Sequence, residues 1–406
     1  MRYFVFVILL LFIIGCSVKK PEIGKKVIPN EDEYIIKALF YEDKNLSKVI
    51  DIYKFLYKET KKEIYFKKLI ENLFFMKRYK KIIVLTKELK PFNINKEIFK
   101  YRIFSLIELN KFKEAKKELL EKFNKKDEFF YKMMSYFYLK EKKYNIAVEY
   151  LKSLYAIDHN KNTLLELADI LIKLKKYNEA LAYLRTHLDL YGCEYDICIR
   201  LAIIYRQLYD YKNLALIYEK LAKFDKKYLF FALRIYLDNK AYDKALKLIH
   251  KYNLSDEFKL VVYEEKKDYK KASFLAKKLY EESAKLGFLL KYCIYAYKVA
   301  PSKKTALNII PKLKYLLKFY AHSAFVYNFL GYILIDNDID VKEGIKYIKK
   351  ALEFDPNNEE YLDSLAWGYY KLGKCKKAWE IIKNIKLNNK EIKKHKEAIK
   401  KCKGDK

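Results

Sequence analysis

The chain has 406 residues, of which 52% are hydrophobic and 17% aromatic, with a formal net charge of +33. That length exceeds what one hydrophobic core fills, so several domains or a repeat array is expected. Nine glycines and six prolines are too few to punctuate a β-protein of this size, and the composition is that of an all-α chain. The basic residues are 78 Lys and only 7 Arg, spread along the whole length. This argues against nucleic acid, whose readout favours the forked guanidinium.

In chain order, Arg2 supplies a positive start, Tyr3 to Ile14 form an apolar run of 12 residues, and Gly15 precedes Cys16. The run is too short to span a bilayer, which takes about 20 residues. This stretch resembles a bacterial lipoprotein signal peptide, with Ile13-Ile14-Gly15-Cys16 as the lipobox. The resemblance implies removal of residues 1–15, a thioether-linked lipid on Cys16 and acylation of the new amino terminus. The mature protein is then expected on the cell membrane or outer membrane, facing the periplasm or exterior. Several acyl chains, at about 0.8 kcal/mol per buried methylene, make such an anchor durable. Residues 16–30, with Pro21, Gly24 and Pro29 and no helical period, read as a tether.

From residue 31 onward a period near 33 residues dominates. An aromatic is followed three residues later by a small or aliphatic residue at Tyr79/Ile82, Phe112/Ala115, Tyr144/Ala147, Tyr177/Ala180, Tyr211/Leu214, Tyr242/Ala245 and Tyr269/Ala272. Leu46/Val49 is a weaker first copy. Six residues before each aromatic lies another large apolar residue, for example Leu73, Leu106, Tyr138 and Leu171. These offsets put apolar stripes on two facing helices, A and B, with the small residue where they cross and the aromatic at the turn. Short polar segments such as Lys175-Lys176 make that turn. One hairpin cannot bury both faces, so neighbours must stack.

The pattern resembles the tetratricopeptide repeat, which implies an all-α solenoid of about ten or eleven helical hairpins. The likeness is partial over 31–283, interrupted at an irregular hairpin over 284–320 with Pro301 and Pro311, and fullest over 321–388. There Tyr327, Leu330, Gly331, Leu334, Gly344, Ile348, Ala351 and Pro356 match one copy, with one extra residue near Asp338. Leu362, Leu365, Ala366, Tyr369, Ala378 and Ile382 match the next. Residues 389–406 read as a Lys-rich capping helix and tail.

No catalytic motif is found. There is no Gly-rich phosphate loop, nucleophile elbow or zinc helix, and the five histidines are widely separated. The run Asp336-Asn337-Asp338-Ile339-Asp340 opens like a calcium loop, but Val341 and Tyr347 stand where Gly and Glu are required. No cofactor, metal or small-molecule substrate is therefore expected. Of the cysteines, Cys375 and Cys402 form a candidate disulfide, because a tail helix running back along the last hairpin would bring them together. Cys193 and Cys198 could pair only in loop geometry, and Cys293 reads as core. In tetratricopeptide proteins helix A lines the inner surface that takes partners. Carried over, those positions are Asn328, Tyr332, Glu360, Asp363, Trp367 and Tyr370; Trp367 and Tyr332 could equally pack between neighbouring A helices.

The expected function is that of a membrane-anchored, non-enzymatic scaffold that binds envelope protein partners, as in assembly, pilus, secretion or export machinery. The alternative is a binder of acidic envelope polysaccharide or anionic lipid through the Lys-rich surface.

Overall fold

The computed structural model describes residues 30–87, 95–122 and 126–404. The lipobox, Cys16 and nearly all of the tether lie outside the described residues. Within them there are twenty-three α-helices and no strand. Eleven hairpins follow one another. They are α1/α2 (Glu31–Tyr41, Leu46–Thr60), α3/α4 (Glu63–Phe75, Tyr79–Thr86), α5/α6 (Lys96–Glu108, Phe112–Lys122), α7/α8 (Glu128–Lys140, Tyr144–Asp158), α9/α10 (Lys161–Lys173, Tyr177–Tyr191) and α11/α12 (Tyr195–Gln207, Tyr211–Leu221). Then come α13/α14 (Lys227–Asp238, Tyr242–Lys251), α15/α16 (Asp256–Glu265, Tyr269–Ser283), α17/α18 (Leu286–Val299, Lys303–Leu317), α19/α20 (Ala324–Asp336, Val341–Phe354) and α21/α22 (Glu359–Lys371, Cys375–Ile382). A last helix, α23 (Lys390–Gly404), closes the chain. Pro311 lies inside α18. No helix among the described residues is long and apolar enough to cross a membrane. The chain divides into two compact units, 1–200 and 201–406, with the break inside α11.

The turn between helices A and B is built the same way again and again. A residue in the left-handed region stands two positions before the first residue of helix B: Lys77, Asn110, Lys142, Lys175, Tyr209, Lys240, Lys267 and Gly373. The next residue's N–H donates back to the carbonyl five positions earlier, as from Arg78 to Leu73 (2.8 Å), Lys111 to Leu106 (2.8 Å), Lys143 to Tyr138 (2.9 Å) and Lys176 to Leu171 (2.9 Å). Those acceptors are the apolar residues six positions before the aromatic. The left-handed residue donates to the carbonyl three positions earlier, as from Lys175 to Ile172 at 2.9 Å. Together these bonds satisfy two of the orphan carbonyls of helix A and reverse the chain.

Only the last of these turns uses glycine. Elsewhere a Cβ is carried at positive φ, which costs roughly 1 kcal/mol at a single residue. Lys175→Gly is therefore expected to raise the stability of its hairpin by up to about 1 kcal/mol, less the entropy glycine adds to the unfolded chain. A thermal melt of the full chain checks it; a lowered melting temperature would show that Lys175 contributes more through its side chain than its backbone costs.

The small residues of helix B do what crossing helices require. Ala115, Ala147, Ala180, Ala245, Ala272, Ala306 and Ala378 have no solvent exposure. At the crossing of α19 on α20 the backbones themselves meet. A Cβ built on Gly331 would stand 2.6 Å from the Gly344 carbonyl oxygen, and one on Gly344 would stand 2.7 Å from that of Gly331. Backbone meets backbone here, so no side chain can yield. Gly331→Ala is expected to destabilise this hairpin by about 1–3 kcal/mol through forced separation of the helices. Its partner test is Gly344→Ala, and neutral behaviour of both in chemical unfolding would refute the contact.

Candidate functional site

Four of the six residues expected on the inner surface, Asn328, Tyr332, Glu360 and Asp363, line one cavity of about 180 Å³ in the second unit. Helix α19 contributes Asn328 and Tyr332, helix α21 contributes Glu360, Asp363 and Ser364, and the start of α23 contributes Asn389, Glu391 and Ile392. Helical spacing explains the set: Asn328 and Tyr332 are four residues apart, and so are Glu360 and Ser364. Trp367 and Tyr370 lie outside this cavity.

Helix α23 shapes the site from one side. It buries Ile392, His395 and Ile399 against the last hairpin. His395 Nδ1 lies 2.9 Å from Asp363 Oδ2. The His395 ring stacks on Trp367, centroids 4.1 Å apart, and Trp367 stacks on Tyr370 at 4.7 Å. Asp363 and Trp367 are only 5% and 7% exposed. Trp367, expected as an interface anchor, thus spends its faces on a histidine and a tyrosine of its own chain. The Tyr332 hydroxyl donates to Glu391 of α23. Burial, then that carboxylate, pushes the Tyr332 phenol far above its ordinary value, so it stays a donor.

The connection into α23 is pinned at three points. The Glu359 carboxylate accepts the backbone N–H groups of Lys386 (3.0 Å) and Leu387 (2.7 Å), which hold its carboxyl below the usual range. Asn389 caps α23 by accepting from Ile392 N at 2.9 Å. Cys375, at the start of α22, is disulfide-bonded to Cys402 on α23, with Cα atoms 5.7 Å apart.

In the first unit Cys193 is bonded to Cys198. Cys193 sits before α11 and Cys198 within it, so only one partner is held in helical spacing. Cys293 is a buried free thiol, and burial pushes its pKa up to about 12. Such a thiol is inert at neutral pH. Among the described residues no group of three His, Cys, Asp or Glu side chains could hold a metal ion.

The sequence reading missed one polar cluster entirely. Arg102 on α5 makes two bonds of 2.6 Å to the Glu118 carboxylate on α6. Its Nη1 donates to the Ile83 carbonyl (2.8 Å) and the Thr86 hydroxyl (2.9 Å) on α4. Arg102 stands 33 residues before Ser135, at the position where later copies carry the small residue of helix A. One of seven arginines at a small-residue position was the available signal.

Comparison with known proteins finds no matching family model and no matching curated protein. Solved structures do match. A tetratricopeptide repeat protein from Parabacteroides merdae is similar over 63% of this chain and 99% of its own, at 15% identity and a TM-score of 0.29. A chain of the Naa15/Naa10 structure bound to HypK-THB is similar over 93% of this chain and 68% of its own (12% identity, TM-score 0.34). One from the Cut9–Hcn1 hetero-tetramer of APC/C is similar over 93% and 91% (13% identity, TM-score 0.32). A buried crossing alanine recurs in seven of the eleven hairpins and a left-handed residue two positions before helix B in eight, so the described residues form an all-α array of tetratricopeptide-like helical hairpins.

Proposed function

We propose that this protein is a non-enzymatic scaffold, held to a membrane by a lipid on Cys16, that binds protein partners of the cell envelope along its hairpins. The observation that carries the reading is the array itself. Repeated A helices offer similarly spaced side chains over hundreds of residues, a surface suited to extended or multi-part protein ligands. The lipobox-like start supports the anchor. The disulfides Cys193–Cys198 and Cys375–Cys402 suit an oxidising compartment, where such bonds persist.

Two experiments test the two halves. Cross-linking on intact cells should recover the same partner with linkers of different reach; recovery of the protein alone each time would count against a scaffold. Cys16→Ser should shift the protein from the membrane to the soluble fraction, and unchanged partitioning would remove the lipid anchor. Binding that collapses between low and moderate salt would instead favour the acidic-polymer reading, for which the charge of +33 speaks.

A further inference from the structure

We infer that the cavity between α19, α21 and the start of α23 is a binding site for a cationic side chain, lysine or arginine, presented by a partner segment. The inference deepens the scaffold reading and rests on it.

Four observations carry the inference. The first is charge. Three carboxylates, Glu360, Asp363 and Glu391, line the cavity, and none of its lining residues is Lys or Arg. The chain as a whole carries 85 Lys and Arg among its 406 residues. Three other cavities among the described residues are lined by Lys: four around Phe112, three around Leu69 and four around Phe274.

The second observation is unmet hydrogen bonding. Asp363 is 5% exposed, and its Oδ2 is taken by His395 while its Oδ1 has no partner within the chain. Asn328 is half-buried and also lines the cavity, and its Oδ1 is buried and equally unpartnered within the chain. Both are acceptors, from two different helices. A buried acceptor left unmade costs free energy, so both call for a donor. An ammonium offers three N–H groups and a guanidinium five, with no acceptor to clash.

Wall chemistry is the third. Phe325, Phe329 and Ile392 complete the lining. Apolar walls suit the methylene stem of Lys or Arg, and aromatic faces attract its charged head.

The fourth observation separates this ligand from a metal. The carboxylates do not converge, since no three such groups among the described residues could hold an ion. Spread acceptors around a volume of about 180 Å³ match an elongated organic cation better than a point charge.

The test titrates the full-length chain with acetylated peptide amides Gly-Gly-X-Gly-Gly, where X is Lys, Arg, norleucine or Glu, following chemical shifts at α19 and α21. The Lys or Arg peptide should bind at least about tenfold tighter than the norleucine peptide, and the Glu peptide should not bind. Comparing Lys with Arg distinguishes the two cations. Glu360→Gln with Glu391→Gln should abolish the preference. Asn328→Asp, which keeps Oδ1 and adds a charge, should strengthen it, and this second variant reads the cavity even if the double variant folds poorly. Equal affinity for Lys and norleucine, preference for Glu, no binding by any peptide, or a preference unchanged in both variants would overturn it. Cross-linking of the double variant separates the two claims. If it still captures the partner of the parent protein, the cavity is not the contact and the scaffold stands. If neither captures anything, the scaffold reading itself fails.

Discussion

Arg102→Ala is expected to destabilise the first unit by about 3–5 kcal/mol, the cost of leaving a buried carboxylate without its partner. Arg102 and Glu118 are 4% and 8% exposed, and the guanidinium also serves the Ile83 carbonyl and Thr86 hydroxyl. One side chain therefore ties α4, α5 and α6 together. Its loss strands acceptors on two hairpins at once. The measurement is amide exchange, because opening need not be all-or-none in an array. Protection in α5 and α6 should fall by roughly two to four orders of magnitude, while the second unit is unchanged. Arg102→Met combined with Glu118→Leu should recover much of the loss, since a buried ion pair is often replaceable by well-packed apolar groups. Equal exchange in Arg102→Ala and the parent would show that the pair contributes nothing.

The same pair sets an acid limit. Burial pushes the Glu118 carboxyl up, but bonding to the Arg102 guanidinium, with Lys122 nearby, outweighs it and holds the carboxyl below its ordinary value of 4.5. A carboxylate depressed in the folded state contributes stability that is present above about pH 4.5 and lost as pH falls through its folded value. Glu118→Gln should therefore flatten the acid side of the stability profile of the first unit.

The hairpins were legible in the sequence for a physical reason. Each turn needs a residue that ends helix A, an aromatic two positions later and a small residue three beyond that, all within one short window. Tyr144/Ala147 and Tyr177/Ala180 carry that signal unaided by anything distant. Val341 was harder, because its turn holds an extra residue, and the structure accommodates it with Asp338 at positive φ and Asp340 capping α20. The Arg102–Glu118 pair was not legible. Its members are 16 residues apart on different helices, and nothing local marks an Arg that fills a small-residue position.

Four of the ten residues lining the candidate site were legible in the same way. Asn328, Tyr332, Glu360 and Asp363 follow from knowing which face of helix A points inward. Glu391 and Asn389 do not, because their place depends on how a Lys-rich tail, with little hydrophobic pattern of its own, returns over the last hairpin. The buried Ile392, His395 and Ile399, with the half-buried Ala398, direct that return. Trp367 was open to two readings, partner anchor or internal packing, and it stacks on Tyr370 and His395 of its own chain. A rare, large aromatic on an inward face reads as an anchor for a partner, yet an internal histidine can satisfy the same face.

So weakly patterned a helix needs fastening, and the Cys375–Cys402 bond is the expected fastener. Closing a loop between residues 27 apart is worth roughly 3–4 kcal/mol in the chain-entropy model. Replacing both cysteines by serine should thus lower protection in α23 by about two to three orders of magnitude, with α13 to α16 unaffected. Reducing the parent protein with dithiothreitol should give the same pattern. The Asp363–His395 contact and the Tyr332–Glu391 bond both cross from the array to α23, so loosening the helix should also weaken binding at the cavity. Unaltered exchange in α23 after reduction would mean that Glu359, Asn389 and the buried isoleucines hold the helix alone, and the disulfide would then have no part in shaping the site.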